Sequence, residues 1–338
     1  MKFVYSFFIA ITLLASQTLA AQKDFSKIDA HARNAPASVE KSVISLSKYL
    51  LKNSNTDIEK ARAIYVWLTH NISYDDKGYN SGNYSNTSAE SVLKNKIAVC
   101  SGFSNLYYAL GKEMGLNIKK VVGYSKGYSY ISGSKFKKTN HAWNIININK
   151  QWRVFDATWG QGYGKNVNGK LVSSKEFEEF WFNVDPYEAI FSHLPKDIKL
   201  SYVTPRISLK EYENFPKIKK STFVLGFEGK TIYQNILSNR KAVPPTCSTP
   251  KQNVKIIKAP MYKRMFTNKN YTFQLQIPKG QRVAIINKNK DWIYFEKNND
   301  IFTLKYTPKE KGEITISIQY EDNELSFYPI LRYMVKTR

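Results

Sequence analysis

The most restrictive stretch of this chain is residues 141–158, HAWNIININKQWRVFDAT, in which two alternating runs flank Asn149-Lys150. Alternation marks strands with one face in a core, and a two-residue polar break between them makes an antiparallel hairpin. A turn symmetric about Asn149-Lys150 sets His141 opposite Thr158 and Trp143 opposite Asp156. All four side chains then share one face, with His141 and Asp156 as a diagonal pair. A slip of one residue would send the pair to opposite faces.

Helical patterns precede this hairpin. Residues 37–52 place Val39, Val43, Leu46 and Leu50 on one face. The next run begins with Thr56 and Glu59 in capping-box spacing and carries Ile58, Ala61, Tyr65, Leu68 and Ile72 as its apolar stripe. Residues 77–88, rich in Gly, Asn and Ser, read as an ordered loop or flap, and 89–93 as one short helix. From Cys100 an apolar face of Phe103, Leu106, Tyr107, Leu110 and Met114 predicts a helix that Gly115 stops. Strands are expected at 118–124 and 128–131 before the hairpin. Helices followed by antiparallel strands define an α+β domain.

A polar, basic segment with two prolines, residues 204–221, predicts a boundary, with one domain over 21–215 and a β-rich one over 216–338. In the latter, strands are expected at 222–227, 253–257, 271–277, 282–287, 292–296, 301–306, 313–320 and 325–334. Their number and spacing predict an immunoglobulin-like β-sandwich, with a barrel as the alternative. Trp292 and Tyr294 share a strand face there, and Phe295 points away.

Lys2, a mostly apolar run and small residues at Thr18 and Ala20 read as a secretory signal over residues 1–20. The expected location is therefore periplasmic or extracellular. No later segment is long and apolar enough to cross a bilayer, so the processed chain is not expected to be an integral membrane protein. With 51 Lys and Arg against 27 Asp and Glu, the formal net charge is +24. In an exported protein such a charge fits anionic envelope polymers and not nucleic acid.

The chain has two cysteines. Cys100 opens a helix, where unpaired N–H groups and the peptide dipoles favour thiolate. An imidazole nearby would favour it further, and Asp156 would then orient that imidazole, His141. By residue type alone, Cys100 reads more often as a small buried side chain, with one half of a disulfide to Cys247 as a further reading that the spacing does not favour. His31, His70, His141 and His193 lie at no metal-ligand spacing, so neither a metal nor another cofactor is expected.

Three blocks, AVCSGFSNLYYALGKEMGLNIKKVVGY, NHAWNIININKQWRVFDATW and WFNVDPYEAIFSHLP, resemble the transglutaminase-like superfamily, in particular its kyphoscoliosis-type and cytokinesis-type branch. The resemblance spans residues 35–200. It implies a papain-like cysteine acyltransferase or protease fold with a Cys-His-Asp triad, carried onto Cys100, His141 and Asp156. The implied reaction is acyl transfer on protein or peptide amides, ending in crosslinking, deamidation or hydrolysis, with peptidoglycan peptides as a narrower substrate. Trp143 and Trp159 would wall an acyl groove that Tyr79 and Tyr84 approach, while His193 is expected to be structural. The rival reading is a non-enzymatic envelope scaffold on the same fold. No EF-hand-like calcium loop is present, which sets the chain apart from calcium-activated crosslinkers.

Overall fold

The computed structural model describes residues 24–337 apart from 128–129, 239, 241–242, 249, 251–252 and 321–325. The expected signal segment lies outside the described residues. So do the first two residues of the strand expected at 128–131, whose remaining two residues are not in a strand.

The helical half is built around Asp57–Asn71, whose Thr56/Glu59 capping box forms as expected, with Thr56 N–H donating to Glu59 Oε2 at 2.9 Å. Every residue from Ala61 to Thr69 is buried, so this helix is enclosed on all sides instead of presenting one apolar stripe. Enclosure brings Arg62 inside, where its guanidinium makes two 2.8 Å bonds to Asp29 and a third to Glu179. A buried cation is tolerated only when its donors are met in this way. The helix Cys100–Glu113 packs beside it, with Tyr107 Oη donating to the Ala61 carbonyl, and Gly115 ends the run at φ +78°. The segment read as a flap contains a short helix, Asp76–Ser81, capped by Asp75, which also accepts Ser85 N–H and Oγ–H.

Against these helices lies a four-stranded antiparallel sheet in the order Gln151–Phe155, His141–Ile148, Ile118–Ser125, His193–Pro195. The hairpin has the symmetric register, with Ile148 opposite Gln151 and Asn144 opposite Phe155. Its turn puts Asn149 and Lys150 both in the left-handed region, at φ 50° and 65°, the geometry that matches the twist of two-residue hairpins. The register does not run as far as expected. The strand stops at Phe155, and the chain turns into a helix at Ala157–Gln161, so the Trp143/Asp156 and His141/Thr158 pairs do not form. The cause is local: Asp156 accepts the N–H groups of Thr158 and Trp159 as an N-cap, which replaces ladder bonding.

The later region is a sandwich and not a barrel. A five-stranded sheet (Arg264–Phe266, Tyr328–Lys336, Gly312–Gln319, Arg282–Asn287, Trp292–Tyr294) and a four-stranded sheet (Glu296–Asn298, Ile301–Tyr306, Tyr271–Gln276, Lys255–Lys258) share one apolar core. The strand expected at 292–296 divides at buried Phe295, with Trp292–Tyr294 in one sheet and Glu296–Asn298 in the other. Residues 222–227, expected as a strand, instead form the end of a helix at Lys220–Val224 and the turn after it, and the buried Phe223 packs toward Phe191. Ile190, Phe191, Leu194 and Tyr212 belong to the same apolar cluster as the sandwich interior. No helix among the described residues is long and apolar enough to cross a membrane.

Because Lys150 holds a left-handed conformation that costs a side-chain-bearing residue about 1 kcal/mol, Lys150→Gly is expected to stabilise the protein by about that amount and Lys150→Val to destabilise it. Urea unfolding midpoints read both.

Candidate active site

Cys100 is the first residue of its helix, after Val99 in extended conformation, and its side chain is half-buried. The His141 ring and the Ala142 backbone N–H lie close enough to its sulfur to lower the thiol pKa. His141 opens its strand and is buried, with Nε2 2.8 Å from Asp156 Oδ2. That bond occupies Nε2, which leaves Nδ1 as the ring nitrogen on the sulfur side. The three residues singled out in the sequence therefore lie in one line of contact, sulfur to imidazole to carboxylate. Both cysteines are free, so Cys100 and Cys247 are not joined.

Two buried side chains fix the helix against the strand. Ser104, one turn beyond Cys100, donates Oγ–H to the Trp143 carbonyl at 3.0 Å. Asn144, three residues beyond His141, returns an Nδ2–H to the Ser104 carbonyl at 3.1 Å. Neither was singled out by the sequence reading, although both stand in the quoted blocks. A serine and an asparagine at these offsets can be read as staples only once the two elements are known to be neighbours.

Asp156 has a second imidazole. His193 Nε2 lies 3.0 Å from the same Oδ2, while the other oxygen, Oδ1, accepts Thr158 N–H at 2.9 Å and Trp159 N–H at 3.0 Å. The strand His193–Pro195 delivers His193 by pairing with Ile118–Ser125. Gly123 permits that pairing, since a Cβ there would sit 2.2 Å from the Leu194 carbonyl oxygen and 2.7 Å from the Trp143 ring. His193 is enclosed by Trp159, Trp143 and Trp181, with ring centroids at 4.4, 5.0 and 5.0 Å. Ser192 Oγ meets its Nδ1 at 2.8 Å.

The two rings on one carboxylate carry different charges. Burial opposes the cation at His141, but the Asp156 charge and hydrogen bond, with a further contribution from Cys100, push its pKa up to about 10. For His193 burial dominates over its bond to Asp156, and the neighbouring His141 cation also disfavours a second one, so its pKa falls. It is then a neutral ring donating Nε2–H to the carboxylate and accepting from Ser192 at Nδ1. Burial pushes the Cys100 thiol up, but the His141 bond and charge and the Ala142 N–H bring it below the ordinary thiol value. Asp156 is pulled well below the ordinary carboxylate range by His141 and then His193, against the cost of burial. The product is an acidified thiol beside an imidazolium, above an ionised carboxylate.

The sign of each pH effect follows. The raised His141 stabilises the fold below its unfolded value of 6.5, and that contribution disappears as pH rises through about 10. The depressed Asp156 stabilises the fold above its unfolded value of 3.8, and that contribution disappears as the solution is acidified.

His141, Asp156 and His193 also offer three donor atoms within 4.8 Å of one another. Their present geometry is that of two N–H donors on one oxygen. A metal at about 2.0–2.1 Å from each imidazole nitrogen would have to replace both hydrogen bonds and displace the His141 proton.

His141 lies on the wall of a cavity of about 180 Å³ together with Tyr74, Tyr79, Trp159 and Tyr163. Of the two tryptophans expected to wall a groove, Trp159 does so, while Trp143, in the His141 strand, is buried. Tyr84 is exposed.

The site sets a helix-borne cysteine beside a strand-borne histidine and a helix-capping aspartate, and the comparisons bear on the same part of the chain. Residues 44–157 match the transglutaminase-like superfamily model, and the chain carries a transglutaminase-like domain. The kyphoscoliosis peptidase of Homo sapiens is 30% identical over 202 residues, 60% of this chain and 30% of that protein. Hillarin of Drosophila melanogaster is 26% identical over 221 residues, 60% of this chain and 26% of that protein. Cytokinesis protein 3 of Schizosaccharomyces pombe is 23% identical over 216 residues, 63% of this chain and 24% of that protein. The matched segment thus spans under a third of the length of each of these relatives.

Two measurements probe this arrangement. Iodoacetamide followed by peptide mapping is expected to label Cys100 at neutral pH and to leave Cys247, whose thiol burial pushes up, largely unmodified. His141→Ala should move Cys100 labelling to higher pH. Replacing His193 by Phe leaves Oδ2 one donor short and is expected to cost about 1–3 kcal/mol in urea unfolding, with Gln, which keeps an N–H donor, recovering part of the loss.

Proposed function

We propose that this protein is an exported, cysteine-dependent enzyme of acyl transfer on protein or peptide amides, with Cys100, His141 and Asp156 as its catalytic residues. The observation that carries the reading is the His141 Nε2–Asp156 Oδ2 bond, with the Cys100 sulfur held on the other side of the same ring.

The Cys100 thiolate attacks the amide carbon, forming a carbon–sulfur bond as the carbonyl electron pair moves to oxygen. The Cys100 backbone N–H, at the helix start, is a donor for that oxyanion. Collapse breaks the carbon–nitrogen bond, and the leaving amine or ammonia takes the proton from His141, leaving a thioester. His141, now neutral, then takes a proton from the incoming water or amine, whose attack releases the thiolate. Asp156 holds the ring and stabilises its cationic form. A primary amine completes a crosslink, while water completes deamidation or peptide hydrolysis.

The cavity beside His141 is small and walled by aromatic rings, a shape suited to one side chain or a short extended segment and not to a folded surface. The word peptidase in the name of the human and mouse relatives favours hydrolysis among the three outcomes. The N-terminal signal pattern and the +24 charge support a periplasmic or extracellular setting, with peptidoglycan peptides or another anionic envelope polymer as partners.

Incubation of the reduced, folded protein with glutamine-containing peptides and with murein peptides tests the reading, with intact-mass detection of a Cys100 thioester and separate assays for ammonia and new peptide ends. Cys100→Ala is expected to abolish adduct and product, and Asp156→Asn to lower turnover by about 10²–10⁴-fold. Absence of any adduct from correctly folded wild-type protein would leave the scaffold reading in its place.

A further inference from the structure

Beyond the His141 cavity the surface continues into two others. A cavity of about 560 Å³ shares Gly127, Trp159, Gly162, Tyr163 and Gly164 with it and adds Lys126, Lys217 and Lys220. Those lysines are largely answered. Lys126 is buried and donates to the carbonyls of Tyr212 and Phe215, and Lys220 pairs with Glu178, which lines the same cavity beside Glu176. Lys217 then leads into a third cavity of about 350 Å³, between the 216–222 segment and the sandwich.

This third cavity differs in charge. It is lined by Lys217, Lys219, Lys263 and Arg332, with no carboxylate in its wall among the described residues and with Ile218, Val243, Pro244 and Pro245 as apolar lining. The cations are held in place: Lys217 Nζ donates to the Gly127 carbonyl at 3.2 Å, and Lys219 Nζ to the Cys247 carbonyl at 3.3 Å. Arg332 meets Glu313 at 3.4 Å, but both side chains are about half exposed, so that pair neutralises little. Four cationic side chains around one apolar-lined hollow repel one another, and an anion that enters relieves the repulsion.

We propose that this cavity is an anion subsite for the acidic flank of an extended peptide substrate whose target amide lies at Cys100. The proposal rests on the acyl-transfer reading for the target amide, while the binding itself does not. An acidic peptide is favoured over a bare phosphate polymer by the apolar lining, which accommodates the stem of an Asp or Glu side chain beneath the cationic groups. Lys217, bonded to Gly127 of the His141 cavity and lining both outer ones, gives the path continuity.

The test uses two fluorescent peptides identical except for an acidic or an alanine segment beside the target glutamine. Anisotropy is read on the full chain carrying Cys100→Ala, and steady-state turnover on the chain with Cys100 intact. The acidic peptide is expected to bind about tenfold more tightly than the alanine peptide, with the preference erased by salt. Lys219→Glu with Lys263→Glu should remove the preference, and the milder pair Lys219→Gln with Lys263→Gln should reduce it. The exposed pair Lys41→Glu with Lys48→Glu, which changes the net charge equally, should leave it intact. In turnover the acidic segment should lower KM with kcat unchanged. Equal loss in the Lys41/Lys48 control, no preference between the peptides, or competition by polyphosphate alone would overturn the proposal. Cavity-dependent binding without any turnover would instead overturn the acyl-transfer reading and leave the anion subsite standing.

Discussion

The carboxylate of Asp156 accepts four N–H groups: two imidazoles on Oδ2 and two backbone amides on Oδ1. Few arrangements keep a buried carboxylate ionised, and a set of donors this dense is one of them. Much of the local structure follows from meeting that condition. The backbone donors require the chain to leave the sheet and begin a helix at Ala157, and the imidazole donors require the two strands that flank Ile118–Ser125 to begin near the same place. The charge then acts outward through His141, whose proton is stabilised by the carboxylate and in turn lowers the pKa of the Cys100 thiol.

The two histidines show how one negative charge is shared. A single carboxylate offsets one buried cation and not two, so the ring that also touches sulfur is charged and the ring enclosed by three tryptophans is neutral. His193 is a donor that holds Oδ2 in direction and leaves His141 to carry the proton. Its position depends in turn on Gly123, where the absence of a side chain lets the third and fourth strands and the Trp143 ring close together.

Much of this was legible in the sequence because the relevant signals were short-range. The capping box, the glycine stop and the hairpin register depend on residues within a few positions of each other, and each appears where the pattern put it. The signals that failed were of another kind. Residues 222–227 alternate well enough for a strand, yet tertiary packing of Phe223 on Phe191 selects a helix. The hairpin pattern carried past Phe155 because a capping Asp and a strand Asp look alike until the amides behind it are seen. Ser104, Asn144 and the His193–Asp156 bond join residues 39, 40 and 37 positions apart, a separation that no local periodicity encodes.

Those separations carry a consequence for the chain before it has folded. The acidity of Cys100 comes from His141, Ala142 and the staples that bring their strand to the helix, none of which is nearby in an extended polypeptide. A nascent or unfolded copy therefore carries an ordinary, mostly protonated thiol, no more nucleophilic than any free cysteine. Reactivity is acquired only when helix and hairpin dock, so the fold itself acts as the safety catch on its own sulfur.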